Sequence, residues 1–287
     1  MNLIISKKKL AHKIHEFWID NPYIASHAKP GQFVIVRINE YGERIPLTIA
    51  EVKDSAFRIV VKAIGKSTYE LCSLSEGYSL YDVAGPLGKP SEIKFYGNVL
   101  IIGGGVGIAA ILPIAKALKE KQNYVTVIIG AKTKDELILS NEFSFADKVI
   151  KVTDDGSEGI KGTVTDVMEK ELRMGYQITW AVGPAIMMKL ASEVAKRNNL
   201  LIWVSLNSIM IDGTGMCGGC RTVLKKEKSL DEKGDEGEIK YVCVDGPEFD
   251  GRFVDWDSFM KRLNQYKNEE RIALERYLSQ VGEPSWL

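Results

Sequence analysis

Three of the chain's four cysteines belong to one stretch of chemistry: Cys217 and Cys220 inside Asp212-Gly213-Thr214-Gly215-Met216-Cys217-Gly218-Gly219-Cys220, and Cys243 after a hairpin-like insert. A four-residue gap followed by Cys-x2-Cys is the plant-type iron-sulfur spacing, here with Asp212 in the first position. The stretch therefore reads as a 2Fe-2S site whose candidate ligands are Asp212, Cys217, Cys220 and Cys243. Four glycines in nine residues suit such a loop, because wrapping an inorganic cluster needs positive φ and close backbone approach. Two other readings share these residues: a Cys-x2-Cys also serves in zinc sites and redox dithiols, and an aspartate also serves as a turn residue. The three histidines, His12, His15 and His27, lie far upstream, so a Cys/His zinc site or a Rieske-type centre has no local material. A dithiol leaves Cys243 without a role. Carboxylate oxygen is a harder donor than thiolate, so Asp212 as a ligand would alter the cluster's potential and its response to protons.

A second set of residues has the chemistry of phosphate binding. The apolar run Asn98-Val99-Leu100-Ile101-Ile102 leads into Gly103-Gly104-Gly105-Val106-Gly107-Ile108-Ala109-Ala110, and from Gly105 this is G-x-G-x-x-A, a turn that brings a pyrophosphate to a helix N-terminus. The usual acidic residue at the end of the next strand is missing; Gly130-Ala131-Lys132-Thr133-Lys134 stands there instead. Those lysines suit a 2′-phosphate, or simply a solvated helix start. Gly183-Pro184 and Asp154-Asp155-Gly156-Ser157 follow other strand ends on the same sheet edge. Upstream, Arg44-Ile45-Pro46-Leu47-Thr48 places a guanidinium and a hydroxyl on one face of an extended segment. Gly65-Lys66-Ser67-Thr68 leads a glycine turn into a helix whose free N–H groups can hold phosphate. The plain alternatives are a solvated edge strand and an N-cap at Ser67.

The elements that position these residues follow from periodicity. Residues 1–95 show short β-type runs, such as 32–38, 57–63 and 78–83, separated by turn signals and one short helix near 68–74, which argues for an antiparallel β-barrel. Residues 96–204 alternate strands at 98–102, 124–129, 148–153, 178–182 and 201–204 with helices at 107–121, 134–141, from 164 and 185–196, the pattern of an α/β parallel sheet. Residues 205–262 form a small cluster subdomain with strands at 221–224 and 241–244 joined by a charged, solvent-exposed tip. Residues 263–287 complete one charged helix, 256–280, carrying Phe259, Leu263, Tyr266, Ile272, Leu274 and Leu278. Trp286 in the tail reads as an anchor on a partner or as a frayed end.

Composition sets outer limits. Lys+Arg and Asp+Glu are both 38 in 287 residues, and no long basic run appears, which argues against nucleic acid as a partner. Four cysteines with three in one motif do not make a disulfide framework and suit a reducing, cytoplasmic setting; Cys72 reads as a small buried hydrophobe. Residues 1–7 lack the parts of a secretory leader. The most membrane-like run, 99–115, is broken by Gly103, Gly104, Gly105, Gly107 and Pro113, so no membrane span is expected.

The order of these parts, Arg44-x-Pro46-x-Thr48, then Gly103-Gly104-Gly105-Val106-Gly107, then the cysteine loop, resembles the ferredoxin-NADP reductase-like family over residues 1–262. Within it the chain is similar to the subgroup whose cluster lies near the C-terminus: electron-transfer subunits of dihydroorotate dehydrogenases and small subunits of NADH-dependent reduced ferredoxin:NADP oxidoreductases. An aspartate as first ligand is similar to the latter. The resemblance implies FAD held by Arg44, Pro46, Leu47, Thr48, Val61, Lys62, Gly65, Lys66, Ser67 and Thr68. It implies a nicotinamide nucleotide over Gly104, Gly105 and Gly107, closed by Gly183, Pro184 and Met187, with NAD(H) expected and NADP(H) kept open by Lys132 and Lys134. It implies an oxidoreductase subunit in a heterodimer or larger assembly with a bigger flavin/iron-sulfur subunit, reaching ferredoxin indirectly. No catalytic side chain is expected, because the cofactors carry the chemistry; Thr48 is placed only to hydrogen-bond the flavin. A non-catalytic electron relay is the alternative from a different class.

Overall fold

The computed structural model describes residues 2–225 and 237–286. The N-terminal part is built of short strands, the central ones buried along most of their length while the edges stay partly exposed. It forms β1 (Leu3–Ala11), β2 (Ile14–Asp20), α1 (Pro22–His27), β3 (Phe33–Arg37), β4 (Arg44–Thr48), β5 (Glu51–Lys53), β6 (Ala56–Lys62), α2 (Lys66–Ser73) and β7 (Asp82–Leu87). The strands make two antiparallel sheets, β1-β2-β6-β5 and β4-β3-β7, which enclose one core that includes Phe17, Val34, Val36, Phe57, Ile59 and Leu71. The last strand starts later than the 78–83 run suggests. Residues 78–80 give their hydrogen bonds to the start of β1, with Ile4 N–H on Tyr78 O at 2.9 Å and Leu80 N–H on Asn2 O at 2.9 Å.

The parallel sheet follows with β8 (Asn98–Gly104), α3 (Gly107–Glu120), β9 (Tyr124–Ala131), β10 (Lys148–Thr153), β11 (Ile160–Lys161), α4 (Val164–Glu171), β12 (Ile178–Val182), α5 (Ala185–Arg197) and β13 (Leu201–Ser205). Val99 to Ile102 of β8 are all fully buried, as expected of a central strand covered on both faces. β8 lies between β9 and β12, so successive connections leave it in opposite directions and open a crevice at the C-terminal ends of β8 and β12. The helix expected at 134–141 is instead two 3-10 turns, Lys134–Glu136 and Ser140–Phe143, parted by Leu139 at φ 55°. Leu137, Ile138 and Phe143 all join the core beneath α3, and one regular helix could not point all three there.

The C-terminal part contains β14 (Arg221–Leu224), β15 (Glu238–Tyr241), α6 (Val242–Asp245), β16 (Glu248–Asp250), α7 (Trp256–Leu263) and α8 (Lys267–Val281). Two expectations change here, and one strand is added. Cys243 sits on a helical turn, not a strand, and the Tyr241 N–H bonds the Asp245 carboxylate at 2.8 Å across that turn. β16 pairs antiparallel with β13 and becomes the seventh strand of the main sheet. The single helix expected over 256–280 breaks after Leu263, because Phe259 of α7 packs into the sheet-side core while Leu274, Tyr277 and Leu278 of α8 pack against the barrel core. Most of the expected charged tip, residues 226–236, lies outside the described residues. Trp286 turns back onto the barrel, with its ring 5.1 Å from that of His15 and 5.5 Å from that of Tyr69.

Polar contacts tie the parts together. The carboxylate of Glu248 on β16 accepts from the Ser91 hydroxyl at 2.7 Å and from the Trp180 indole N–H on β12 at 3.3 Å. Although part of the residue's surface stays accessible, the packed protein strips water from its carboxyl and pushes it up to about 7, against the opposing effect of those two donors. Arg58 on β6 is 4% exposed and lies among Glu16 of β2, Glu51 of β5 and Glu142 beyond β9. Its fork meets both Glu142 oxygens, at 2.8 and 2.9 Å, and Lys116 of α3 reaches Glu51 at 2.7 Å. Burial alone would lower the guanidinium's pKa, but the Glu142 and Glu16 carboxylates raise it overall, so Arg58 remains charged. Replacing Arg58 with alanine leaves three carboxylates facing one another at the seam between barrel and sheet. The expected loss is roughly 3–5 kcal/mol, read as a fall in the urea midpoint; an unchanged midpoint would show that the network contributes nothing to cohesion.

Candidate functional site

A cleft of about 970 Å³ opens between β4, β6 and the C-terminal helices. From the barrel it is lined by Arg44, Pro46, Leu47, Val61, Lys62 and Thr68, all of them expected from sequence. Thr48, Gly65, Lys66 and Ser67 do not line it. Lys66 pairs with Glu70 at 2.8 Å, the Ser67 hydroxyl donates to the Glu43 carboxylate, and Thr68 Oγ1 accepts the N–H groups of Ile64 and Gly65 at 2.9 and 3.0 Å. These contacts shape the turn that enters α2. Lys62 pairs with Glu136 at 3.1 Å, linking the cleft to the sheet. Sequence reasoning did not assign to the cleft its further barrel residues, among them Arg37, Gly42 and Glu43, nor the opposite walls built from Val106, the segment 207–211 and the C-terminal helical region carrying Leu263, Tyr266 and Ala273. The sequence marked Val106 only as part of the glycine motif and Leu263 and Tyr266 only as apolar positions of a helix, with nothing in it to direct them to the cleft.

At one end of the cleft stands the glycine turn after β8. Gly105 has φ +55°, and a Cβ there would meet no atom within 4 Å. The positive φ is one only glycine adopts freely, and the open space is a cradle over the N-terminus of α3, suited to an anion. Gly107 is constrained differently: a Cβ would come within 2.2 Å of the Val182 carbonyl oxygen, because α3 starts tight against β12. Met187 of α5 packs over Gly104 and Gly183, where a Cβ would meet its side chain at 2.4 and 2.9 Å, and Pro184 is 3.3 Å from the same point on Gly104. Gly104, Gly183, Pro184 and Met187 are thus brought to one sheet edge. Lys132 and Lys134 are exposed, and the Lys134 N–H bonds the Ser157 hydroxyl at 2.8 Å.

The cysteine loop lies beyond the cleft's other wall. Gly213, Gly215 and Gly218 have φ of 75°, 82° and 67°. A Cβ on Gly213 would strike Leu87 and Ile35 of the barrel at 2.7 and 2.8 Å, so the loop is seated directly on β3 and β7. The Asp212 carboxylate accepts Thr214 N–H at 2.9 Å and Cys217 N–H at 2.7 Å. The Thr214 bond above all, with that of Cys217, holds its pKa below the usual value against the opposing effect of desolvation. Cys220 and Cys243 are buried with their sulfurs 3.2 Å apart, and burial followed by the Cys220 thiol pushes Cys243 up to about 12. Cys217 is exposed. Among the described residues no three His, Cys, Asp or Glu side chains converge as for a single metal ion; the donors fall into two pairs, Asp212 with Cys217 and Cys220 with Cys243. Arg262 of α7 steadies the loop by donating to Gly219 O at 2.9 Å. A recess of about 250 Å³ beside Cys217 is lined by Ser208, Ile209, Ile211, Leu263 and Tyr266, which also line the large cleft. Cleft and recess therefore share one wall.

Comparison with known proteins agrees with this arrangement. Residues 207–255 match the iron-sulfur cluster binding domain of dihydroorotate dehydrogenase B. A Thermotoga maritima protein named as a homologue of the dihydroorotate dehydrogenase B (NAD(+)) electron transfer subunit is 52% identical over 99% of this chain and 98% of its own. The chain belongs to that family of electron-transfer subunits and their homologues. The corresponding electron transfer subunit of Caldanaerobacter subterraneus subsp. tengcongensis is 30% identical over 86% of the chain and 94% of its own length. A solved NADH-dependent reduced ferredoxin-NADP oxidoreductase, studied for flavin-based electron bifurcation, superposes with TM-score 0.89 at 51% identity, covering 97% of this chain and 98% of that one. Phthalate dioxygenase reductase shares the fold alone, with TM-score 0.56 at 16% identity over 85% and 93% of the two chains. This family member is thus an oxidoreductase subunit with a ferredoxin-NADP reductase-like fold and an iron-sulfur binding domain. Among the described residues no helix is long and apolar enough to cross a membrane.

The two glycines separate fold from binding. Gly107→Ala should destabilise the protein by about 1–3 kcal/mol through overpacking against β12, whereas Gly105→Ala, strained by roughly 1–2 kcal/mol in the left-handed region, should chiefly weaken nucleotide binding. Thermal melts beside NADH titrations check both; a Gly107→Ala protein as stable as the parent would contradict the packing argument.

Proposed function

We propose that this subunit holds FAD in the large cleft, a nicotinamide nucleotide at the Gly105 cradle and a 2Fe-2S cluster at the cysteine loop. It exchanges a hydride with NAD(H) and passes single electrons toward a larger flavin/iron-sulfur partner, within an NADH-dependent ferredoxin:NADP oxidoreductase. The observation that carries this reading is the contiguity of the three compartments. Val106 of the glycine turn lines the cleft at one end, and residues 208, 209 and 211 separate it from the cysteine recess at the other. When bound, FAD supplies the conversion between two-electron hydride transfer and one-electron transfer.

The chain's own residues bind and orient. Arg44 offers a forked cation for phosphate oxygens, Pro46 and Leu47 give an apolar bed, and Thr68 in the first turn of α2 reaches the same cleft, with Gly65, Lys66 and Ser67 shaping the turn behind it. Met187 and Pro184 floor the nicotinamide position over Gly104 and Gly183. Thr48 acts, on this reading, as a hydrogen-bonding residue near the ring, although it stands outside the cleft lining. The two donor pairs at the loop suit a two-iron unit, with Asp212 turning at least one oxygen away from its own backbone to ligate. Exposed Lys132 and Lys134 leave room for NADP(H) at the same cradle. The paired free thiols suit a reducing compartment such as the cytoplasm.

The test is anaerobic addition of NADH to the isolated, cofactor-replete subunit: flavin absorbance should bleach without any partner. No bleaching would reduce the chain to a relay. A second reading, service to a dihydroorotate dehydrogenase, draws on the names of the family and of the Caldanaerobacter relative. Mass spectrometry of the stoichiometric co-eluting partner separates the two, a glutamate synthase-like flavin/iron-sulfur subunit supporting the first and a dihydroorotate dehydrogenase catalytic subunit the second.

Asp212 makes its own prediction. Asp212→Ala should shift or abolish the electron paramagnetic resonance signal of the reduced cluster, and Asp212→Cys should keep a cluster with an altered signal. A spectrum unchanged in both variants would remove Asp212 from the ligand set and leave it as a loop organiser through its two backbone bonds.

A further inference from the structure

We propose that α8 is the wall that holds the adenosine half of FAD, and that Trp286 is the latch that keeps this wall in place. The inference rests on the FAD reading above and follows from the cleft's two ends. The redox-active half of the flavin has to lie where Val106 of the nicotinamide cradle and the 207–211 segment of the cluster wall both reach it. The remaining space lies between the β3–β4 hairpin, with Arg37 and Gly42 to Arg44, and α8, with Glu269, Glu270 and Ala273. Tyr266, just before α8, lines the cysteine recess as well as the cleft. Glu270 and Ala273 stand roughly one and two turns further along, at about 5.4 Å per turn, so the helix runs from the redox end toward the other half of the dinucleotide. A carboxylate on such a wall is an acceptor suited to ribose hydroxyls.

What fixes α8 is local and separable. Leu274, Tyr277 and Leu278 pack against the same barrel core as Ile45 and Leu47, both of which line the cleft. The tail then turns back. The Trp286 indole N–H donates to Ser73 Oγ at 3.2 Å, Lys9 Nζ donates to the Trp286 carbonyl at 2.6 Å, and the ring sits against His15 and Tyr69. Tyr69 and Ser73 belong to α2, whose first turn presents Thr68 to the cleft. The latch therefore grips the helix whose other end shapes the phosphate turn. FMN lacks the adenosine half and should be indifferent to both the wall and the latch.

The experiment compares the full-length parent, Trp286→Ala and Ala273→Phe, each stripped of flavin and reconstituted with FAD or FMN, with flavin fluorescence reporting release. Trp286→Ala should release FAD about tenfold faster, and Ala273→Phe should bind FAD about tenfold more weakly by filling the wall's small position. FMN binding should stay within about twofold of the parent in both, which also shows that the redox half of the cleft remains folded. Loss of FAD and FMN to the same degree, or unchanged FAD in both variants, overturns the proposal. A parent chain that binds neither flavin sinks the FAD reading itself and this inference with it.

Discussion

A buried guanidinium at the seam between two sheets governs the geometry on which everything else depends. Arg58 belongs to the barrel, and two of its three carboxylate partners do as well; the third, Glu142, comes from the α/β part, and Lys116 closes the circuit from α3. Such a network is costly to desolvate and does not by itself make a protein stable. Its consequence is one of registry: the relative placement of barrel and sheet is one in which these charges satisfy one another. That placement sets the large cleft against the glycine turn of β8. Lys62 with Glu136 repeats the arrangement at the cleft's edge, with weaker effect because both side chains meet solvent.

From that seam the rest follows as a sequence of close approaches. Gly107 lets α3 begin against β12, which leaves the N-terminus of α3 open beneath Gly105. Gly213 lets the cysteine loop rest on Ile35 and Leu87 of the barrel, which brings the loop within one wall of the cleft. Side chains at either position would force the compartments apart. Single-electron transfer depends steeply on separation, so these contacts between backbone and side chain bear on function as directly as any ligand.

The C-terminal region plays a part different from the one its composition suggests. From sequence the region reads as one charged helix with apolar residues at helical spacing, and Trp286 as an anchor on a partner or a frayed end. In the structure α7 and α8 serve two different cores, and Trp286 docks on its own barrel. Glu248 makes a comparable link on the other side, joining β16 to the segment near Ser91 and to Trp180.

Much of this was legible in the amino-acid order. The cysteine spacing that marks an iron-sulfur binding domain within residues 207–255, the apolar run before Gly103, and the alternation of strands and helices after residue 98 all express local rules, of motif spacing, of a doubly covered strand and of βα repetition, that need no knowledge of distant neighbours. Arg44, Pro46, Leu47, Val61, Lys62 and Thr68 could be named for the cleft because they sit in short contiguous segments that resemble those of a known family. What was not legible came from long-range packing. The helix over 134–141 yielded to the pull of Leu137, Ile138 and Phe143 into one core; the helix over 256–280 broke because its two halves serve different cores; Cys243 moved from strand to helical turn to stand beside Cys220. The walls built from residues 207–211 and α8 carry no motif at all. By itself the sequence determined which chemistry is present and in what order along the chain. Only the tertiary structure decided that the three sites share walls, because that depends on buried charge pairing and on glycine-permitted contacts between segments far apart in sequence.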